Sequence, residues 1–370
     1  IIEDSDAFGD YPDMQLAGVY NSGTKAMTVD LNRQTLVIGN HYHRSWDKTE
    51  DPIKKQVAIL GREGTELNFT NGDKNRPITL VGCSDSPNED YTGWNSGYTG
   101  DAIVAEAGSR IHIEAPLRFV NGGVIAIERD DEDVLADGYI KIKGDVHFER
   151  DGIIGGGYIN GNVYFKQSGE IYDTADISGT VRFDNYGIFN VNEKRQQGEV
   201  IFGKAGQFCY DQIHIPETHF GLGPVTLRYR YEKDAKTGAV HTHFDSPLFG
   251  FIRGKSVHGG GTYIGMSKDG KQPVEKTFRI HGGIDTLNEP VRIGMVGKNA
   301  YWHGTAAATE SGSLNSRYPE QESQYKGNLD LYLQKGAVWD HEYVADISSK
   351  SLNGYRVSTV TRFHGGKNRA

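Results

Sequence analysis

The chain uses cysteine and proline sparingly, with 2 and 11 in 370 residues. Cys83 and Cys209 stand far apart and have no C-x-x-C partner, so neither a disulfide framework nor a zinc knuckle is expected. Both read as small buried hydrophobes. Positive charge is also short: 40 Lys and Arg face 49 Asp and Glu, a formal net charge of −9. No nucleic-acid partner is expected, because phosphate binding wants a basic surface. No apolar run approaches membrane-spanning length, so membrane insertion is not expected either. The opening IIEDSDAFGDYPD lacks the basic region and apolar stretch of a secretory leader, and we expect a chain made without one or already processed. Also missing are a phosphate-cradling glycine motif, a G-x-S-x-G elbow and an H-E-x-x-H pair.

What is abundant is glycine (48) and tyrosine (20), which suits a turn-rich all-β protein. The glycines frame a repeat, Gly-x-Val-x-Phe-x-x-x-Gly. It reads GDVHFERDG from Gly144, GNVYFKQSG from Gly161, GTVRFDNYG from Gly179 and GEVIFGKAG from Gly198, at intervals of 17, 18 and 19 residues. Two looser copies precede them, APLRFVNGG from Ala115 and GDAIVAEAG from Gly100. The interval from Ala115 to Gly144 is 29 residues, but removing the acidic run of 11 residues from Glu128 to Gly138 restores 18.

Alternation of apolar and polar residues inside each unit makes a short strand with Val and Phe on one face. A unit of this size cannot bury that face alone, so the units must stack. The expected fold is all-β: a parallel β-helix, a solenoid with coils of about 18 residues, followed by a β-rich C-terminal domain. An antiparallel meander is the competing arrangement. We place an N-terminal segment at 1–27, with irregular opening coils starting near Met27, the β-helix at 28–215 and the C-terminal domain at 216–370. Within the last, VTLRYRYEKDAKTGAVHTHFD reads as a hairpin around Lys-Thr-Gly, and SGSLNSRYPEQESQYKG as the longest polar loop.

Outward positions of the repeat strands line up across coils about 4.8 Å apart. The position before Val holds Asp145, Asn162, Thr180 and Glu199; the one before Phe holds His147, Tyr164, Arg182 and Ile201; the one after Phe holds Glu149, Lys166, Asp184 and Gly203. Carboxylates, an imidazole, a phenol and a guanidinium on one face are the groups a carbohydrate site uses. Glu149 and Asp184, two coils apart at about 9.6 Å by strand spacing, fall at the edge of the separation for an inverting glycosidase acid and base. A uronic-acid lyase would instead need a neutraliser and a base, for which Arg182, Lys166, Tyr164 and His147 are suited types. Against both stands a plainer assignment: Glu149, Lys166 and Asp184 alternate in sign and make a solvated charge ladder that keeps the sheet in register.

Three further groups stand out. NEDYTGWNSGYTGD gathers Tyr91, Trp94 and Tyr98, candidate sugar-stacking residues or simply the packing of that loop on the solenoid. The acidic insertion carries Asp130, Asp131, Asp133 and Asp137 without the ordered pattern of a calcium loop, which favours a solvated loop. Two His-x-His pairs, His41 with His43 and His241 with His243, put both imidazoles on one side of a strand. One such pair is incomplete as a metal site in a single chain, but three copies at a threefold axis would supply six imidazoles.

The coil repeats at Gly144, Gly161, Gly179 and Gly198, followed by an unrelated β-rich region, resemble the β-helical tailspikes and tail fibres of bacteriophages. The resemblance is architectural and covers roughly 28–370. It implies a homotrimer at the virion tail that recognises bacterial surface polysaccharide, lipopolysaccharide or capsule, in some members with its cleavage. It also implies no required cofactor beyond a metal ion on the trimer axis, which His241 and His243 match in type. Unlike those proteins, the chain is expected to carry neither a virion-anchoring domain nor a glycine-rich opening segment before its coils, and it is short for a depolymerase. Three functions follow: a polysaccharide-binding attachment protein, a depolymerase centred on Glu149 and Asp184, or a non-phage adhesin or secreted passenger, extracellular or at the bacterial cell surface.

Overall fold

The computed structural model describes residues 2–3, 17–21, 25–39, 57–81, 101–128, 136–172, 175–191, 195–210, 213–219, 224–246, 248–249, 252–254, 260–275, 278–286, 290–307, 328–341 and 360–365. Every regular element among them is a β-strand. The chain divides into two compact units, Ile1–Asn185 and Tyr186–Ala370.

In the first unit, the chain visits three parallel sheets in strict rotation. One round runs Leu117–Phe119, Gly123–Ile127 and Tyr139–Lys143; the next runs Val146–Phe148, Gly152–Ile154 and Gly157–Asn160. Each strand pairs in parallel with its equivalent one turn away. The repeat sets the register of the first sheet. Leu117 faces Val146, Val146 faces Val163 and Val163 faces Val181, and the phenylalanines match in the same way. The 29-residue interval is therefore one round of the three sheets. Its insertion closes at both ends, where the Gly138 amide donates to the Glu128 carbonyl at 2.8 Å.

Inside this register, Phe119, Phe148, Phe165 and Phe183 form a stack of rings with centroids 4.5, 4.7 and 4.9 Å apart and planes within 12° of parallel. All four are fully buried. Each such ring contributes about 1.5–3 kcal/mol by leaving water. Close approach explains both motif glycines, the second through the ring stack and the first through backbone. A Cβ at Gly152 or Gly169 would lie 2.4 or 2.3 Å from the ring four residues upstream, and one at Gly161 or Gly179 would lie 2.2 or 2.3 Å from the carbonyl of the preceding turn. The corner before each strand is held by side chains: the Asp145 carboxylate accepts from the Asn162 amide at 2.7 Å, and the Asn162 side-chain oxygen from the Thr180 amide at 3.0 Å.

Three expectations need correction. GDAIVAEAG is not a copy in register with the others: Asp101–Ala105 lies in the second sheet, between Val57–Gly61 and Gly123–Ile127. The first-sheet strand facing Leu117–Phe119 is Ile78–Val81. Parallel pairing also starts well before residue 28, with Ile2–Glu3 against Val37–Gly39 and Ala17–Tyr20 against Val57–Gly61. Cys209 is exposed, because Phe208 takes the inward position of its strand and leaves the next residue facing out; Cys83 lies outside the described residues.

The second unit opens with reversals. Gln197–Phe202 pairs antiparallel with Val225–Lys233, which forms the expected hairpin with Val240–Phe244. Ala205–Tyr210 pairs antiparallel with Ile213–His219. Parallel pairing then resumes, again through three sheets in rotation: Val240–Phe244, Leu248–Phe249 and Ile252–Gly254, then Gly261–Ile264, Phe278–His281 and Ile284–Asp285, then Val291–Val296, Ala300–His303 and Ala306–Ala307. Trp302, wholly buried, donates its indole N–H to the Gly282 carbonyl at 3.0 Å and stacks on Trp339 at 4.9 Å. The region read as lacking fixed spacing thus has a repeating topology, with turns of unequal length.

Candidate functional site

On the outer face of the first sheet, register places Arg118, His147, Tyr164 and Arg182 in one row. Alternation puts them outward because Val and Phe on either side point in. The His147 ring meets Tyr164 edge-on at 5.8 Å, and the Arg182 guanidinium sits 6.0 Å over the Tyr164 ring. Beside this row, Glu149 accepts from Arg118 Nε at 3.0 Å and from Lys166 Nζ at 3.1 Å. Asp184 accepts from the Tyr164 hydroxyl and from Arg182 Nε, the latter at 2.7 Å. The face sets Glu149 with Arg118 and Lys166, and Asp184 with Tyr164 and Arg182, as two ion-pair groups, while His147 meets the edge of Tyr164.

Those partners set the protonation. The Lys166 hydrogen bond, followed by the Arg118 guanidinium, holds Glu149 below the usual carboxylate range despite partial burial. Burial works to raise Asp184, but the bonds from Tyr164 and Arg182 outweigh it and leave that carboxyl low as well. The Asp184 bond pushes the Tyr164 phenol up, away from any role as a phenolate base. An inverting glycosidase needs one carboxyl that keeps its proton near neutral pH. Neither group has the apolar surroundings that would supply it.

The third sheet carries a second array that the repeat motif does not flag. Glu66, Arg110 and Tyr139 face one another in register, and next to them run Asn68, His112, Lys141, Tyr158 and Asp176. These side chains project outward because Ile111, Ile113, Ile140, Ile142 and Ile159 take the buried positions between them. Tyr139 is 40% exposed, the one large exposed hydrophobic among the described residues of this unit. His112 contacts its ring at 5.7 Å, and the Lys141 ammonium lies 5.8 Å over Tyr158. The signal in the sequence was the Ile-x-Ile alternation of RIHIEA and YIKIKG, one side of the turn removed from the motif.

The His241 and His243 pair is present on Val240–Phe244, and both rings pack on Tyr263, at 5.0 and 5.1 Å. His243 is only 2% exposed, its Nε2 has no hydrogen-bond partner, and the nearest carboxylate oxygen, on Glu232, is 3.8 Å away. Burial and the Arg230 charge push its pKa down to about 4, and burial lowers His241 as well. Neutral imidazoles are the ligand form, but Nε2 of His243 is covered within its own chain. Among the described residues no group of three or more His, Cys, Asp or Glu side chains is arranged to hold a metal ion. His41, His43, Tyr91, Trp94, Tyr98, Asp130, Asp131 and Asp133 lie outside the described residues.

No family model, no curated protein and no solved structure matches this chain. What it does has to be argued from these faces.

Proposed function

We propose that the chain is a polysaccharide-binding attachment protein, built as a parallel β-helix and assembled as a homotrimer on a virion tail, that engages bacterial lipopolysaccharide or capsule. The winding is supported by the strict rotation of the first unit through three parallel sheets, each strand in register with its equivalent one turn away. The observation that carries the binding role is the outward array itself, with His112, Lys141 and Tyr158 in one row on successive strands and Tyr139 beside Lys141 on its strand. Aromatic rings pack on the C–H faces of sugars while imidazole and ammonium groups meet their hydroxyls, and a fixed sheet holds both without ordering cost on binding.

Binding is favoured over cleavage because Glu149 and Asp184 are each saturated by their own neighbours and held ionised. A bacterial surface adhesin would use the same array, and differs in predicting a monomer. Light scattering of the full chain should give three times the chain mass. Incubation with capsule and lipopolysaccharide should give a bound complex whose glycan keeps its length. A monomer removes the virion assignment. Shortened glycan that becomes intact when Glu149 and Asp184 are changed to Ala restores the depolymerase role.

A further inference from the structure

The outward cations Arg118, Lys166 and Arg182 on the first sheet are matched, the first two by Glu149 and the third by Asp184. On the third sheet, Lys143 is matched by Glu114 at 2.5 Å. Arg110 and Lys141 differ, since neither makes an ion pair among the described residues. Lys141 rests over the Tyr158 ring, and Arg110 stands in register with the exposed Tyr139 on the next strand. His112 between them is kept neutral by burial first, with Lys141, Arg110 and Lys143 disfavouring a further charge against an opposing Glu66. The patch is thus a cationic and aromatic island on a chain of net charge −9.

We infer that this island binds a carboxylate-bearing polysaccharide, with uronic-acid units laid across the turns, Arg110 and Lys141 taking carboxylates, and Tyr139 and Tyr158 packing against the sugar rings. The inference rests on the glycan-binding reading and gives it a substrate class. Neighbouring strands stand about 4.8 Å apart, close to the advance of one sugar along an extended chain, so consecutive units meet consecutive strands. Arginine suits carboxylate because its planar fork donates two parallel bonds, and lysine over a ring keeps a free ammonium face. A polyphosphate fits less well. The island is short, ended by Glu66 on one side and Asp176 on the other, whereas nucleic-acid affinity is built from many phosphate contacts in a row.

The test uses the intact protein against immobilised polygalacturonate, alginate and hyaluronan, the carboxyl-reduced form of each, dextran, and duplex DNA. At least one acidic polysaccharide should bind, its carboxyl-reduced form should not, and added salt should weaken binding because the contacts are solvent-exposed. R110Q and K141Q should each weaken that binding about two- to fivefold and together about tenfold, Y139A should weaken it too, and K74Q, an exposed charge elsewhere on the unit, should leave it unchanged. Equal binding of acidic and reduced forms, or equal losses in K74Q, would overturn the inference while leaving glycan binding intact. DNA binding as tight as polygalacturonate would overturn it as mere polyanion attraction. No polysaccharide bound at all would remove both readings together.

Discussion

Replacing Gly169 by Ala tests whether the motif glycine is there for the ring beside it. The added Cβ would sit 2.3 Å from Cδ1 and 2.5 Å from Cγ of Phe165. That ring cannot turn aside, because Phe148 at 4.7 Å and Phe183 at 4.9 Å hold it on both faces. Overpacking of this kind costs about 1–3 kcal/mol. Phe165→Ala alone removes a fully buried ring and should cost about 3–5 kcal/mol. If the two residues contest the same space, the costs do not add. With the ring gone, the methyl of G169A enters the void, and the double variant should be no less stable than F165A, a coupling of about 1–3 kcal/mol. Urea unfolding followed by far-UV circular dichroism gives all three stabilities, and an unchanged slope shows that the unfolding reaction is the same. Additivity within about 0.5 kcal/mol would refute the account of the motif.

Glu149 and Asp184 titrate below their ordinary values, so their pairs contribute above about pH 4.5 and 3.8 and fade as pH falls through the lower folded values. With side chains 29% and 30% exposed, each pair is worth at most about 1 kcal/mol; the melting temperature of E149Q and D184N should fall less steeply on acidification than that of the parent, and identical slopes would refute the assignment. His243 stays neutral in the fold down to about pH 4, whereas in the unfolded chain it takes a proton near 6.5. Stability should therefore drop between about pH 6.5 and 4 by about 3 kcal/mol and then level off, and H243N should flatten that segment of the melting curve. Trp302→Phe keeps the stack but leaves the buried Gly282 carbonyl without its donor, which should cost about 1–3 kcal/mol in urea unfolding.

The first-sheet register was readable because Val and Phe recur at one spacing and a ring stack tolerates no slip. Even the insertion from Glu128 to Gly138 could be subtracted correctly, since its ends meet through a backbone bond. GDAIVAEAG was misplaced for the opposite reason. Its apolar residues run without a break from Ala102 to Ala105, with Ala102, Ile103 and Ala105 buried, so only the flanking glycines matched the motif, and glycines do not say which sheet a strand joins. The rotation in the second unit was invisible because its first-sheet partners stand 20, 29, 38 and 32 residues apart, as Thr242 to Thr262, Thr262 to Val291, Val291 to Leu329 and Leu331 to Phe363. Insertions of varying length erase a period while leaving the stacking intact.

The site was less legible than the fold, and the reason lies in how charges behave on stacked parallel strands. Like charges one strand apart repel, so a flat face has to be neutralised along the stacking direction. The first sheet does this with opposite charges, Arg118 and Lys166 around Glu149 and Arg182 on Asp184. Those mixed signs drew the eye as chemistry, yet each group is consumed by its neighbours. The third sheet instead sets a neutral ring opposite each cation, Tyr139 facing Arg110 and Tyr158 facing Lys141, so neither has a like charge directly opposite it. That arrangement leaves both cations without an ion pair among the described residues. An ion-pair ladder would serve stability better, so stability does not account for two open cations beside two tyrosines, whereas an acidic ligand does.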